Sequence, residues 1–433
     1  MERSSPSRRR LIGAAGLAGL AAAAPAAPAA PGAPPDDAAA WLQPRLERYH
    51  GFGVKASGGP GDTACAEWLE AELGSWGYAC RRQPFDVPWF TARQATLVAG
   101  DVVAAVVPQA IVAPTGPAGV SGPLRLAGSG VDLTGAIALV VLPHKRWASS
   151  LDPQAARPLA DALRRGAAGV VLITTGPTGE AIALNVSTHR PAWGRPVAIL
   201  APRAAAPVLA AAAEGRAATL TLDGEGGSRP AFNLIARRER AGGRTVVLST
   251  PRSGWFGCAA ERGSGLAVWL WLARRLAASG EDTVELVATS GHEYEYLGGE
   301  RYLAEAPPPA TTRLWVHIGA SAAARDWHEL GPALLPLPSA DAQRVLTATA
   351  DILGRVRPAF AGIGGLEATY MADATTAGGE LTNVLAAGYR SAIGLYGAHR
   401  YFHTRDDDLR CVSGELVAPV ALAFERALAA CLA

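Results

Sequence analysis

The sequence lacks three features that would place it in a simple class: a charge excess, closely paired cysteines and a long apolar run. Its 40 Lys and Arg residues against 38 Asp and Glu residues give a formal net charge of +2, which argues against a nucleic-acid partner. Its five cysteines have neither the spacing of a zinc ribbon nor that of a small disulfide scaffold. After the leader, apolar runs stay below about 18 residues, so the sequence predicts no stable membrane span once the leader is removed.

The composition is that of a folded chain with many turns. Hydrophobic residues make up 49% of the 433 residues and charged residues 18%, which excludes wholesale disorder. The 49 Gly and 32 Pro residues predict frequent turns between short elements. A chain of this length is too long for a single small core.

The first 36 residues have the order of an export signal. Ser7 and three arginines, Arg8–Arg10, precede an apolar run over Leu11–Ala24 and then an Ala/Pro stretch. That run is shorter than the roughly 20 residues that a transmembrane helix needs. The arginines before a weakly hydrophobic segment resemble a twin-arginine signal, and an ordinary secretory signal is the alternative. Residues 1–36 are therefore predicted to direct export to the periplasm or the extracellular space.

The rest of the chain divides into three segments. Residues 37–96 contain an amphipathic helix and are predicted to begin the main domain, which residues 226–433 complete. Residues 97–225 carry short β-like runs separated by Gly and Pro, at 102–107, 136–142, 169–174, 196–200 and 218–222, which indicates an inserted module. The final segment alternates strands and helices, which predicts a mainly parallel α/β sheet. Its predicted elements are strands over 245–249, 284–289, 314–318 and 392–396 and helices over 265–276, 342–352 and 416–432.

Histidines and acidic residues follow the predicted strands of this last segment. Glu261 comes after the first strand, the pair His292 and Glu293 after the second, His317 ends the third, and His403 follows the fourth. In open α/β sheets, ligands bind beyond the carboxyl ends of the strands. Imidazole and carboxylate are zinc ligands, and catalytic zinc sites leave one position open for water. The sequence therefore predicts a metal site at this edge.

At these residues the chain resembles the co-catalytic zinc aminopeptidase family, which includes bacterial leucyl aminopeptidase, glutamate carboxypeptidase and the transferrin receptor. The resemblance implies an α/β fold with a mainly parallel sheet flanked by helices and an inserted β-rich protease-associated domain. It also implies two zinc ions that share a bridging carboxylate. The stretches that carry it are Tyr49–Gly53, Pro60–Asp62, Asn233–Ala236 and Leu297–Gly299, and within the insert Gly135–Val140 and Arg165–Leu172.

The resemblance assigns roles to individual positions. The bridging aspartate of the family falls on Glu261, and its paired glutamates, a general base followed by a metal ligand, fall on His292 and Glu293. The family's late His-Thr-x-x-Asp motif falls on His403 and Asp407. His403 is thus the strongest single ligand candidate, with Asp407 behind it.

Two positions depart from the family pattern. Its His-x-Asp motif is replaced by Thr250–Arg252, and an aspartate ligand is replaced by His317. Since the matched carboxylates, Glu261 and Glu293, balance one divalent ion, a second ion would leave uncompensated charge. We therefore predict one zinc ion held by Glu261, Glu293 and His403, with His317 as a fourth ligand or as a hydrogen-bonding partner of a ligand.

The remaining site residues are assigned to proton transfer and support. A zinc-bound water has a pKa of about 7, and His292 is predicted to take its proton. Glu380 precedes the last ligand and is predicted either to orient His403 or to cap a helix. The sequence does not identify substrate-binding residues.

The prediction is an exported zinc-dependent metallopeptidase, aminopeptidase-like, that hydrolyses the bonds of peptide substrates with a metal-activated water. The alternative is a catalytically degenerate protein that keeps the peptidase fold and serves as a binding or scaffold module. Amidase-like or cyclase-like chemistry on the same scaffold is a third reading, because one fold hosts several reactions. The substrate side chain and the oligomeric state stay open.

Overall fold

The computed structural model describes residues 37–146, 148–189, 193–278, 282–331 and 333–433. The predicted export signal at 1–36 lies outside these ranges. Within them, no helix is both long enough and apolar enough to cross a lipid bilayer.

The described chain contains helices and strands interspersed along its length. The helices are α1 (Ala38–Gly51), α2 (Pro60–Ser75), α3 (Pro153–Arg164), α4 (Ala205–Ala213), α5 (Gly263–Ala278), α6 (Leu297–Leu303), α7 (Leu353–Val356), α8 (Leu381–Ala386) and α9 (Gly414–Leu432). The first strands are β1 (Ala79–Ala99), β2 (Val102–Pro108), β3 (Val120–Leu126), β4 (Ile137–Leu142), β5 (Gly169–Thr174), β6 (Val197–Leu200) and β7 (Ala217–Arg238). The later strands are β8 (Thr245–Pro251), β9 (Thr283–Thr289), β10 (Thr312–Ile318), β11 (Arg325–Leu330), β12 (Ala333–Ala340), β13 (Arg344–Ala348), β14 (Thr369–Met371) and β15 (Ala392–Gly397).

One half of the main sheet belongs to the last segment of the chain. Its order is β7-β9-β8-β10-β15-β13-β14. The strands β9, β8, β10 and β15 run parallel to one another, whereas β7 and β13 pair antiparallel with their neighbours β9 and β15. The predicted α/β fold with a mainly parallel sheet is therefore confirmed for this half.

Helices cover both faces of this sheet. Along β10, Leu314 and Val316 face a core that also contains residues of α1, α5 and α9. Trp315, between them, faces the opposite core, where residues of α6 and α8 pack. Because side chains alternate along a strand, His317 projects on the same side as Trp315.

The predicted insert contributes β2 to β6 to the other half of the sheet, whose order is β1-β2-β6-β5-β4-β3-β7. The long strands β1 and β7 pair antiparallel from Ala79 opposite Arg237 to Val98 opposite Thr219, and so connect the two halves. Two further clusters of buried apolar residues lie in this half. Its boundaries at 97 and 225 and its protease-associated character stay predictions.

One predicted element is wrong. The helix expected over 342–352 is instead the strand β13 followed by a turn. Val345, Thr347 and Thr349 are β-branched at alternate positions, which favours a strand. Antiparallel pairing with β15 and parallel pairing with β14 then fix the extended backbone.

Candidate functional site

The carboxyl ends of the parallel strands β8, β9, β10 and β15 meet at one edge of the sheet. Glu261, His292, His317 and His403 are all buried at or just beyond these ends. Glu261 lies in the turn before α5, and its backbone N–H is one of the donors bound by Asp407. The topology thus gathers the predicted site residues into one region.

Glu261 and His403 come into direct contact. The distance from Glu261 Oε1 to His403 Nε2 is 3.1 Å, and the same oxygen lies 2.6 Å from Nη2 of Arg262. Burial by itself raises the pKa of the Glu261 carboxyl, but Arg262 and His403 outweigh it and hold that pKa at about 2. Glu261 is therefore ionised at neutral pH.

The orientation of His403 is set by Ala183, in the segment between β5 and β6. Its Nδ1 lies 2.9 Å from the carbonyl oxygen of Ala183, and the backbone N–H of Ala183 donates to the His403 carbonyl at 3.0 Å. A carbonyl oxygen only accepts, so Nδ1 carries a hydrogen and Nε2 is the nitrogen that faces Glu261. His403 also has a φ of +57°, a strained conformation for a residue with a side chain. The reciprocal bonds to Ala183 hold it there.

His292 forms a carboxylate–imidazole pair with Glu380. His292 Nδ1 lies 3.0 Å from Glu380 Oε1, and Thr289 donates its hydroxyl to the same carboxylate. Burial, and after it the charge of Arg262, lowers the pKa of His292 well below its usual value. The ring is thus neutral at pH 7. Glu380 contacts His292, whereas the ring of His403 bonds to Ala183, so Glu380 orients a different histidine from the one expected.

His317 is held by a serine. Its Nδ1 is 2.9 Å from Ser249 Oγ, which also accepts a hydrogen bond from the indole N–H of Trp315 at 2.8 Å. Burial lowers the pKa of His317 to about 4, with Glu380 opposing the shift. His317 is therefore a neutral ring with one nitrogen committed to Ser249.

Glu293 is bound on both oxygens by the N-terminal segment and the β8 loop. The backbone N–H of Ser57 donates to Oε1 at 2.7 Å, and the Ser253 hydroxyl donates to Oε2 at 2.8 Å. Burial raises the pKa of Glu293, although these hydrogen bonds oppose the shift. The carboxylate thus ties residues 57 and 253 to the loop after β9.

Arg252, which replaces an acidic position of the resembled family, belongs to a structural ion pair. Its Nε lies 2.9 Å from Asp62 Oδ1, and both side chains are buried. Its other nitrogens donate to the carbonyl oxygens of Ala288 and Phe232. The charge of Arg252 is consequently neutralised by Asp62.

A second histidine–acid cluster lies behind Glu261. Within the described ranges, one group of three His, Cys, Asp or Glu side chains brings its ligand atoms within 4.8 Å of one another, and it consists of His399, Asp407 and Cys411. The Asp407 oxygens accept the backbone N–H groups of Ala260 and Glu261 at 2.8 and 3.0 Å. Burial raises the pKa of the Cys411 thiol, which keeps it protonated. The clearest role of Asp407 is to fix the turn that carries Glu261.

The facing atoms of Glu261 and His403 are of the kinds that bind zinc. Among the described residues, neither carboxylate oxygen of Glu261 nor Nε2 of His403 makes a hydrogen bond of normal geometry, although all three atoms are buried. A carboxylate oxygen and an imidazole nitrogen 3.1 Å apart need a proton or a cation between them. Ligands about 2.0–2.2 Å from one tetrahedral zinc lie roughly 3.4 Å from each other, close to this separation. The pair Glu261 and His403 therefore fits two ligand positions of one ion, and within the described ranges no third His, Cys, Asp or Glu donor lies within 4.8 Å of both.

The other expected ligands are engaged elsewhere. Glu293 is held by Ser57 and Ser253, and His317 is held by Ser249. Their ligand roles stay predictions.

Several contacts of the site were not anticipated from the sequence. Arg262 directly follows Glu261. Its position before the small residues that begin a buried helix was the signal in the sequence that could have identified it. Ser57 and Ala183 carried no signal, because Ser57 binds Glu293 and Ala183 binds His403 through backbone groups, across 236 and 220 residues of the chain.

The chain was compared with known proteins. No protein-family model and no curated protein sequence matches it. Solved structures do match. BSAP, a zinc aminopeptidase from Bacillus subtilis, is 17% identical with a TM-score of 0.70, and the match covers 91% of this chain and 95% of that chain. A peptidase M28 precursor from Shewanella amazonensis SB2B is 17% identical with a TM-score of 0.69, over 91% and 95% of the two chains.

An aminopeptidase from Aneurinibacillus sp. strain AM-1 gives a TM-score of 0.63 at 17% identity, over 90% of this chain and 93% of that chain. At such identities the similarity establishes a shared fold. The predicted resemblance to the zinc aminopeptidases is confirmed at that level.

Proposed function

We propose that this chain is an exported, aminopeptidase-like metallopeptidase that hydrolyses peptide bonds with one zinc ion. The observation that carries the proposal is the buried contact between Glu261 and His403, whose facing atoms lack hydrogen bonds in the described chain and lie 3.1 Å apart. The fold shared with zinc aminopeptidases supports the same reaction class. Export rests on residues 1–36.

Glu261 and His403 would hold the ion, one as an anion and the other as a neutral imidazole. Zinc bound there supplies a Lewis acid and lowers the pKa of its water to about 7. Asp407 fixes the Glu261 backbone, and Ala183 fixes the His403 ring, so both donors are positioned before the ion binds.

His292 is the proton acceptor in this proposal. Glu380 binds the hydrogen on Nδ1, which leaves the Nε2 lone pair free to take a proton from the attacking water. The carboxylate of Glu380 then stabilises the imidazolium that forms, and His292 returns the proton to the leaving amine.

Residues of the predicted insert lie against the site, which bears on the substrate. Residues 180–187 are buried, and Trp255 donates its indole N–H to Asn185 at 2.8 Å. The backbone N–H of Val186 donates to the carbonyl of Glu293 at 3.0 Å. A peptide entering this region must pass the insert, so a short substrate or a free chain end fits better than the middle of a folded protein.

The test is metal content combined with hydrolysis of aminoacyl and dipeptidyl chromogenic substrates. The purified chain is expected to carry one zinc, which Glu261→Gln and His403→Ala lose. His292→Ala is expected to keep the zinc and to lose hydrolysis by roughly 10²- to 10⁴-fold, the usual contribution of a general base. His328→Ala, a change at an exposed histidine, is the matched control and should alter neither quantity.

The contrary result is a chain that purifies without zinc, does not bind added zinc and is equally stable in chelator. That result would favour the scaffold reading of the same fold.

A further inference from the structure

Arg262 is an arginine with unmet hydrogen-bonding capacity at the centre of the site. It is 1% exposed, and its Nε donates to the carbonyl oxygen of Ser253 at 3.0 Å, which fixes the side chain. Among the described residues, neither Nη1 nor Nη2 makes a hydrogen bond of normal geometry. The 2.6 Å contact from Nη2 to Glu261 is a charge pairing without good alignment. Buried donors of this kind usually have a partner.

Arg262 contacts residues on two sides of the site. Its Nη2 lies 2.6 Å from Glu261 Oε1, and that oxygen is 3.1 Å from Nε2 of His403. Its Nε donates to the carbonyl oxygen of Ser253, whose hydroxyl donates to Glu293 at 2.8 Å. The guanidinium thus lies between Glu261 and the loop that holds Glu293.

The charges around the site leave room for one divalent ion in addition to Arg262. Four carboxylates around the site are buried, those of Glu261, Glu293, Glu380 and Asp407, together with two cations, Arg262 and Lys55. Arg252 adds no free positive charge because Asp62 pairs with it at 2.9 Å. Four carboxylates against two cations leave a formal excess of two negative charges, which one zinc ion balances.

We infer that the guanidinium of Arg262 takes the place of a second metal ion, as a fixed cation that binds the carbonyl oxygen of the substrate. This inference rests on the proposed function and extends it. It explains why a chain with the fold of zinc peptidases carries Arg262 beside Glu261, the position of the bridging carboxylate in the resembled family.

The role follows from the chemistry of amide hydrolysis. When water adds to the carbonyl carbon, its proton passes to His292 and the π pair of the carbonyl moves to oxygen. Nη1 of Arg262, which makes no hydrogen bond among the described residues, stabilises that oxyanion, as fixed donors do in other acyl-transfer sites. The C–N bond then breaks as His292 gives the proton to the amine.

The first test measures zinc affinity and needs no substrate. Arg262→Ala removes a positive charge next to Glu261 and is expected to bind zinc at least roughly tenfold more tightly than the parent, in competition with a chelating dye. Arg262→Lys keeps the charge and should bind zinc like the parent. Arg313→Ala removes an arginine in an ion pair at the opposite end of β10 and serves as the control. Arg262→Gln, which keeps more side-chain volume, repeats the measurement should the alanine variant fail to fold.

The second test is kinetic. Arg262→Ala is expected to lower kcat by about 10²- to 10³-fold, the usual effect of losing an oxyanion donor, with KM little changed. Added guanidinium ion should restore part of the rate by filling the vacated space. A purely structural role of Arg262 predicts neither the rescue nor the gain in zinc affinity.

The outcomes separate this inference from the proposed function. An active zinc-containing parent whose Arg262→Ala variant keeps both its zinc affinity and its kcat overturns the inference and leaves the proposed function standing. A parent that binds no zinc, with an Arg262→Ala variant that does, removes the proposed function and keeps Arg262 as the resident cation. If neither chain binds zinc, both fail.

Discussion

Breaking the buried pair of Arg252 and Asp62 should destabilise the fold strongly. Asp62 Oδ1 is 2.9 Å from Arg252 Nε, and its Oδ2 accepts hydrogen bonds from the Gly58 backbone and the Ser290 hydroxyl at 2.8 and 2.7 Å. Asp62→Ala leaves a guanidinium buried without an anion, which costs about 3–5 kcal/mol in comparable cases. We expect that loss in the free energy of unfolding, measured by urea titration at pH 7.

A double-mutant cycle tests the reason for the loss. Replacing both partners, as in Asp62→Leu with Arg252→Met, removes the unpaired charge. The double variant should therefore lose less stability than the sum of the losses of Asp62→Leu alone and Arg252→Met alone. Asp101→Ala is the control, since that carboxylate is exposed and pairs with Arg216 on the surface, and no measurable change is expected. The reasoning is refuted if Asp62→Ala costs under about 1 kcal/mol, or if the effects of the single variants simply add.

Three further predictions follow from burial. Gly298→Ala should prevent normal folding, because its Cβ would lie 1.9 Å from the Ser290 carbonyl oxygen, whereas Gly51→Ala, with open space, should be tolerated; soluble yield and melting temperature check this. Leu270→Ala should cost about 2–5 kcal/mol as a cavity in the core, against under about 1 kcal/mol for the exposed Leu422→Ala, both by urea unfolding. All five cysteines are free, and burial raises the pKa of each thiol. Thiol reagents at pH 8 should therefore react slowly with the folded chain, and in urea they should label five thiols. A count of three thiols in urea without reductant would reveal a disulfide.

The parts of the fold that the sequence predicted best are those whose apolar runs are short and bounded by turns. The strands predicted over 169–174 and 284–289 correspond to β5 and β9, and the closing helix corresponds to α9. Such runs are buried on both faces in a parallel sheet and stand out without knowledge of their neighbours.

Other elements depend on partners far along the chain. The strand predicted over 218–222 is part of β7, which continues through Gly-rich sequence because β1 pairs with it along its length. The failed helix over 342–352 lies in alanine-containing sequence, and pairing with β15 overrides that preference. Local propensity is weak against such tertiary contacts.

The candidate site divides in the same way. The positions of His292, His317 and His403 at one sheet edge follow from strand order, which the alternating pattern predicted. Their partners do not follow from it. Glu380 pairs with His292 from 88 residues away, and Ser249 reaches His317 across the neighbouring strand. Those contacts depend on side-chain geometry that no spacing in the sequence encodes.

The central claim is that Glu261 and His403 bind one zinc ion together. Crystals grown with zinc and measured at its absorption edge test this most directly. The account predicts one anomalous peak at that pair, about 2.0–2.2 Å from both donor atoms, with Arg262 beside it. A map without a peak there, or with its peak among His399, Asp407 and Cys411, would contradict it.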